Sequence, residues 1–330
     1  METLKNQLKY GIIKDIYLFY GDEEYLKDMY LKRIEDIILP DGLRDINKFV
    51  MNEEKNIDNI VNALETLPCF TEKKLVIVKN SSFFKAGKKG NKEDLELLIN
   101  KVPSYTCLIF LEKEVDKRLK VVKDIGKKGL VVEFKVQSPN VLYKWIIKEL
   151  KDRDKAIDKE AVTKLIDYSD GAMFSIVNEI NKLCMYVGDK REIDALDVES
   201  VCTKSIDVII FDLIDNISGG NKELAFKNLK DMIILKEPIQ KIMFMIIKHV
   251  RQLLEMKVLV EEGFLLNDCV VKMGISPYTG KKLFYQIKYF EVDRLKWALG
   301  EMLSLDYKIK IGEIKDILAV EVIITLLMSK

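Results

Sequence analysis

Tyr20-Gly21-Asp22-Glu23-Glu24-Tyr25 stands where a nucleotide-binding domain would carry its phosphate loop. The approach to it has the right form. Ile16–Tyr20 reads as a short apolar strand, Gly21 as a turn, and Glu23–Ile38 as a helix. A working phosphate loop needs several glycines to bring N–H groups onto the phosphates, a Lys for the β/γ oxygens, and a Ser or Thr for Mg²⁺. Here one Gly is followed by three carboxylates, at the helix end that would otherwise attract an anion. Asp22 reads as the N-cap with two acids behind it, a pattern that suits the helix dipole and repels a triphosphate. Gly21, Asp22, Glu23 and Glu24 therefore mark a degenerate site, and no cofactor is expected.

Outward from this turn, the first part of the chain alternates. Strands are expected at Ile16–Tyr20, Ile46–Met51, Lys74–Val78, Cys107–Leu111 and Leu130–Phe134. Helices are expected at Glu23–Ile38, Ile57–Leu67, Lys92–Asn100 and Lys117–Ile125. Short β-rich runs separated by helices predict a parallel α/β sheet. After Gln137-Ser138-Pro139-Asn140 the strand patterns stop. Pro139 fits a first helical position, and Val141, Leu142, Trp145, Ile146 and Leu150 follow at helical spacing, with Trp145 read as a core anchor. Further helices are expected at Asp158–Tyr168, Ala172–Val187 and Asp194–Cys202. From Val208 onward the pattern is helical throughout, punctuated by Gly219-Gly220 and Gly263. The predicted division is an α/β domain over 1–138, a small helical domain over 139–207 and a larger helical domain over 208–330.

At 330 residues the chain exceeds one comfortable core, in keeping with this division. Lys+Arg at 54 against Asp+Glu at 53 removes any bulk attraction to nucleic acid, so DNA contact would have to come from a local patch. Cys69, Cys107, Cys184, Cys202 and Cys269 have no C-x-x-C spacing, and with a single histidine they argue against structural zinc and a disulfide framework. No signal-like apolar segment opens the chain and no run of about 18 apolar residues appears. The expected location is the cytoplasm, with no membrane partner.

Catalytic chemistry is sparse. An ATPase needs a Mg²⁺-coordinating acid at the end of a core strand. Leu75–Val78 ends instead in Lys79-Asn80, and Cys107–Leu111 ends in the lone acid Glu112. His249, the only histidine, lies in a helical run, which nearly removes His-dependent nucleophile systems. No catalytic residue is expected.

Two other features are informative. Leu67-Pro68-Cys69-Phe70-Thr71 is apolar where a helix-to-strand connection should be polar. Pro68 stops the helix and biases Leu67 toward an extended form. The corner either folds under the sheet or presents Phe70 outward as an interface anchor. Beyond it, Lys73, Lys74, Lys79, Lys85, Lys88, Lys89 and Lys92 stand against only Glu72, with Phe83 and Phe84 among them. This run reads as solvated surface or as a phosphate-steering patch, with Lys85, Lys88 and Lys89 as candidate DNA contacts.

The ordered series of these segments resembles the delta subunit of the bacterial DNA polymerase III clamp loader over nearly the whole chain. Carrying it are Tyr17–Leu26, Leu64–Val78 and Val115-Asp116-Lys117-Arg118-Leu119-Lys120. Asn178-Glu179-Ile180-Asn181-Lys182-Leu183 with Tyr186, Phe211–Ile217 and Leu305–Gly312 extend it. The resemblance implies a degenerate AAA+-like domain, a helical lid and a helical collar, the last joining ATP-binding motor subunits and delta prime. It implies a subunit of the polymerase holoenzyme that opens the beta sliding clamp for loading on primer–template DNA without hydrolysing ATP. Leu67, Pro68, Cys69 and Phe70 would then be clamp-binding, with Phe70 entering a hydrophobic pocket of the clamp. Cys69 stands where that family commonly has a larger apolar residue. The alternatives are an active AAA+ ATPase and a DNA-binding adaptor using the Lys73–Lys92 surface.

Overall fold

In a computed structural model of the chain, the structure describes residues 1–54, 56–85 and 92–328. They fall into two compact units, 1–136 and 137–330.

The first unit is built on a five-stranded sheet, β1 (Ile16–Tyr20), β2 (Lys48–Asn52), β3 (Lys74–Lys79), β4 (Thr106–Glu112) and β5 (Leu130–Glu133). All neighbours are parallel, in the order β2-β3-β4-β1-β5. The strands that run beside two neighbours carry unbroken apolar stretches because helices cover both faces. The edge strand β2 is half-exposed. Helices α1 (Glu2–Lys9), α2 (Glu24–Ile38), α3 (Arg44–Asn47), α4 (Ile57–Glu65), α5 (Lys92–Asn100) and α6 (Lys120–Lys128) complete the unit. On one face Ile60, Leu64, Leu95, Leu98, Val122 and Ile125 pack on Leu18, Val76, Val78, Leu108 and Phe110. Toward α2, Phe19 meets Phe134 edge-on at 5.1 Å and Tyr30 lies 5.8 Å from the same ring.

Every expected strand has a counterpart, though β2 begins at Lys48 because Ile46 and Asn47 belong to α3, and α1 and α3 are added to the expected helices. The helix expected from Lys117 begins three residues later. Asp116 Oδ1 accepts from the Arg118 N–H at 3.0 Å and from its Nε at 2.8 Å, holding this segment as a turn.

The second unit opens with α7 (Pro139–Lys151), whose Ser138 N-cap and N1 proline are as expected. Trp145 is half-buried, and Leu142, Ile146 and Leu150 fill the interior instead. Strand structure does not stop at residue 140. Two-residue strands β6 (Ala156–Ile157), between α7 and α8 (Lys159–Tyr168), and β7 (Glu192–Ile193), between α9 (Met173–Val187) and α10 (Ala195–Val201), pair in parallel. They are too short to leave a periodic signal. Asp158 and Asp194 cap α8 and α10, Asp194 in a reciprocal box with Asp197.

The remaining helices are α11 (Ile206–Ser218), α12 (Lys222–Ile234), α13 (Ile239–Glu261), α14 (Leu266–Met273), α15 (Pro277–Gln286), α16 (Val292–Lys310) and α17 (Asp316–Met328). They share one core containing Leu213, Ile246, Val250, Leu253, Leu295 and Ile323. His249 is packed inside it. It shares a 2.7 Å hydrogen bond with Gln286 Oε1, and burial lowers its pKa to about 4. A neutral, enclosed imidazole is a structural part of this core.

Candidate functional site

The turn at Gly21 is closed from both sides. Gly21 has φ +118°, and a Cβ there would lie 2.2 Å from the Phe134 carbonyl oxygen, so only glycine fits without backbone movement. Two of the N–H groups that a phosphate loop would aim at an anion are already engaged. Gly21 N–H donates to the Lys113 carbonyl at 3.1 Å, and Glu23 N–H to the Phe134 carbonyl at 3.1 Å. Lys27 enters the crevice from α2 and is almost wholly buried. Its Nζ donates to the Gly21 carbonyl and to Glu24 Oε1, both at 2.7 Å, and more distantly to the Glu112 carbonyl at 3.4 Å. The crevice between β1 and β4 therefore presents carbonyl oxygens inward, with a lysine bound to them.

The expected N-cap is displaced by one residue. Glu23, not Asp22, precedes the helix. Glu23 is buried, Asp22 exposed. Burial, with Glu24 adding a like charge, lifts the Glu23 carboxyl to about 7, against a favourable hydrogen bond from the Tyr25 backbone. Glu112, the lone acid after β4, has an internal role. Its Oε1 accepts from Ser81 N–H at 2.9 Å and from the Ser81 hydroxyl, and Oε2 accepts from Ser82 N–H at 3.3 Å. Burial raises its pKa as well. The carboxylate brackets the chain leaving β3, where Asn80 and Ser82 both take positive φ.

The Leu67–Phe70 corner is open. Phe70 is 89% exposed and Leu67 72% exposed, and Cys69 is exposed beside them. Phe70 adopts φ +58°, a left-handed conformation that costs a non-glycine residue about 1–2 kcal/mol. Leaving a phenylalanine unburied forgoes about another 1.5–3 kcal/mol. The surrounding backbone is tightly held. Asn47, at the end of α3 and 1% exposed, accepts from Cys69 N–H at 2.7 Å and donates to the Cys69 carbonyl at 2.9 Å. Helix α4 stops at Glu65, short of the expected Leu67, and its end is capped from β3. Lys74 Nζ donates to the Ala63 carbonyl at 2.5 Å and to the Thr66 carbonyl.

Lys74 thus sits inside the first unit, which corrects its reading as part of a solvated charge run. Its ammonium lies at the C-terminal, negative end of a helix dipole. The rings of Phe49 and Tyr105 stand 5.6 and 5.7 Å from it. Burial still brings its pKa down to about 8. Lys73 pairs with Asp15, and Lys85 is exposed with Glu114 at 3.8 Å. Phe84 is a core residue 5.0 Å from Phe110, so it cannot stack on a nucleic acid. Lys88 and Lys89 lie outside the described residues.

Among the described residues there is no cluster of three or more His, Cys, Asp or Glu able to hold a metal, and no helix is long and apolar enough to cross a membrane. Sequence reading missed Asn47, Lys27 and Lys74 as determinants of the two corners. The one available signal was Lys74 at the head of an otherwise apolar strand.

The family described as DNA polymerase III, delta subunit, matches residues 17–135, and its C-terminal domain matches residues 207–327. DNA polymerase III subunit delta of Bacillus subtilis (strain 168) is 28% identical over 331 residues, covering 98% of this chain and 95% of that protein. The probable DNA polymerase III subunit delta of Aquifex aeolicus (strain VF5) is 23% identical over 274 residues, covering 79% and 76%. Among solved structures, the Bacillus subtilis DNA clamp loader delta protein superimposes with a TM-score of 0.80 at 28% identity, covering 100% of this chain and 99% of that one. The fold is therefore of clamp-loader class, an α/β unit joined to helical structure. Within that class, the chain belongs to the DNA polymerase III delta subunit family.

Proposed function

We propose that this chain binds the ring-shaped beta sliding clamp through the Leu67–Phe70 corner and holds it open for loading on primed DNA, without hydrolysing ATP. The observation that carries the reading is Phe70, exposed at positive φ on a corner whose backbone is pinned by buried side chains. An aromatic held out of its own core at a cost in stability is the signature of an interface anchor. A ligand opens a ring only by binding the open state better than the closed one. A stiff corner meets that requirement, because it can fit one clamp geometry and not adapt to the other.

The Gly21 crevice supports the second half of the reading. Its N–H groups are spent on carbonyls and its lysine is bound internally, so ATP would be supplied by partner subunits. Residues 139–207 would serve as the lid and 208–330 as the collar joining those partners, in the cytoplasm, with primer–template DNA entering the assembled complex.

The test is to mix the full chain with the sliding clamp of the same organism in the absence of nucleotide. A one-to-one complex that Phe70→Ala weakens by about 2 kcal/mol or more is expected. Failure to form any complex would sink the proposal, and so would saturable micromolar ATP binding by the isolated chain in calorimetry.

A further inference from the structure

Phe70 cannot fix its own position. The residue is 89% exposed and is no part of a core, so the direction in which its ring points must come from the backbone around it. That backbone is held at two places by side chains that sequence alone gave no reason to connect to it. Asn47 engages both polar groups of the preceding residue, accepting from Cys69 N–H and donating to Cys69 C=O. Its second amide hydrogen goes to the Leu43 carbonyl at 3.0 Å, which fixes the amide's own orientation. Two bonds to one residue constrain the peptide planes on either side of it, and Phe70 follows directly. Lys74 holds the other end, joining the Ala63 and Thr66 carbonyls to β3 just before Leu67. Both side chains are essentially fully buried, so neither is available to touch a partner.

We infer that Asn47 and Lys74 are positioning residues that preorganise the Phe70 corner for its partner. The inference rests on the clamp-binding reading above. Association ordinarily costs free energy to order loops and side chains at the interface, and a loop already fixed in its bound form avoids that cost. The amide at position 47 matters as an amide. An aspartate would keep the acceptor for Cys69 N–H and set a carboxylate against the Cys69 carbonyl.

The test uses the full chain titrated with the sliding clamp, in a cycle of Asn47→Ala, Phe70→Ala and the double variant. Asn47→Ala is expected to weaken binding about tenfold, equivalent to about 1.4 kcal/mol, the scale of one or two net hydrogen bonds. In the Phe70→Ala background the same change should cost almost nothing, since there is no longer a ring to aim. Amide exchange at Cys69 should accelerate in Asn47→Ala, and Asn47→Asp should retain part of the affinity. Lys74→Met, which keeps the apolar stem and removes the ammonium, gives an independent arm should Asn47→Ala fold poorly, with the same non-additivity expected.

Unchanged affinity in a folded Asn47→Ala variant whose Cys69 amide has become exchange-labile, or in a folded Lys74→Met variant, would overturn the inference. An equal loss with and without Phe70 would do so as well. Phe70→Ala binding as tightly as the parent would instead remove the clamp-binding reading itself, and this inference with it.

Discussion

Two turns in the first unit, Gly21–Glu24 and Leu67–Phe70, solve opposite problems with similar means. Each joins a strand and a helix, and each contains a residue of positive φ. At the first, that residue is glycine, wedged against the Phe134 backbone, with N–H groups, a lysine and a glutamate all turned inward. At the second, it is a phenylalanine with nothing over it, and the buried polar groups are Asn47 and Lys74 underneath. The first turn spends its polar chemistry on closing a crevice. The second spends it on holding an apolar ring in water. The difference teaches that positive φ and burial are independent signs: at Gly21 positive φ goes with close packing around a closed crevice, and at Phe70 it goes with an apolar ring left in water.

The comparison breaks most sharply at Gly21. Gly21→Ala should destabilise the chain by roughly 3–4 kcal/mol, from left-handed strain and a backbone clash together. In a denaturant titration, a shift of less than about 1 kcal/mol would mean that Phe134 yields easily. Clamp affinity of the folded fraction should be unaffected. Phe70→Ala should behave in the reverse sense, costing about 2 kcal/mol or more in clamp affinity while leaving the thermal midpoint in place.

Glu23 sharpens the contrast through pH. Its folded-state pKa, about 7, lies above the ordinary 4.5, so the folded chain holds the extra proton between those values. Stability contributed by the protonated form is complete at acidic pH and is lost as pH rises toward 7. Glu23→Gln should therefore flatten the stability profile between about pH 4.5 and 7 and raise stability at pH 8 by about 1–2 kcal/mol. An unaltered profile would place the carboxylate in water. The smallest expected gain in stability is at the open corner. Phe70→Gly should raise stability by about 1 kcal/mol through relief of the left-handed conformation while weakening clamp binding as Phe70→Ala does.

How much of this was legible in the sequence depends on the range of the interaction. The strands and most helices were readable because apolar period and Pro/Gly punctuation are local. Ser138-Pro139 set the start of α7 without further information. Glu23 was misread because nothing local distinguishes a solvated first-turn acid from one buried where its backbone N–H meets the Phe134 carbonyl. Phe70 was visible as an oddity, but the choice between buried and displayed needed Asn47 and Lys74. Their partners are backbone carbonyls and amides distant in sequence, and a backbone group has no letter of its own to pattern against. Lys74 looked like one more cation in a basic run for the same reason.

Cys69 carries a practical consequence of where it stands. It is the exposed thiol among the chain's five cysteines; Cys107, Cys202 and Cys269 are enclosed and Cys184 half-covered. Because it adjoins the displayed ring, the native chain has a chemical reporter at its most telling spot. Maleimide should tag this sulfur first, and the rate of tagging would record, in real time and without an engineered label, whether anything has settled over the corner.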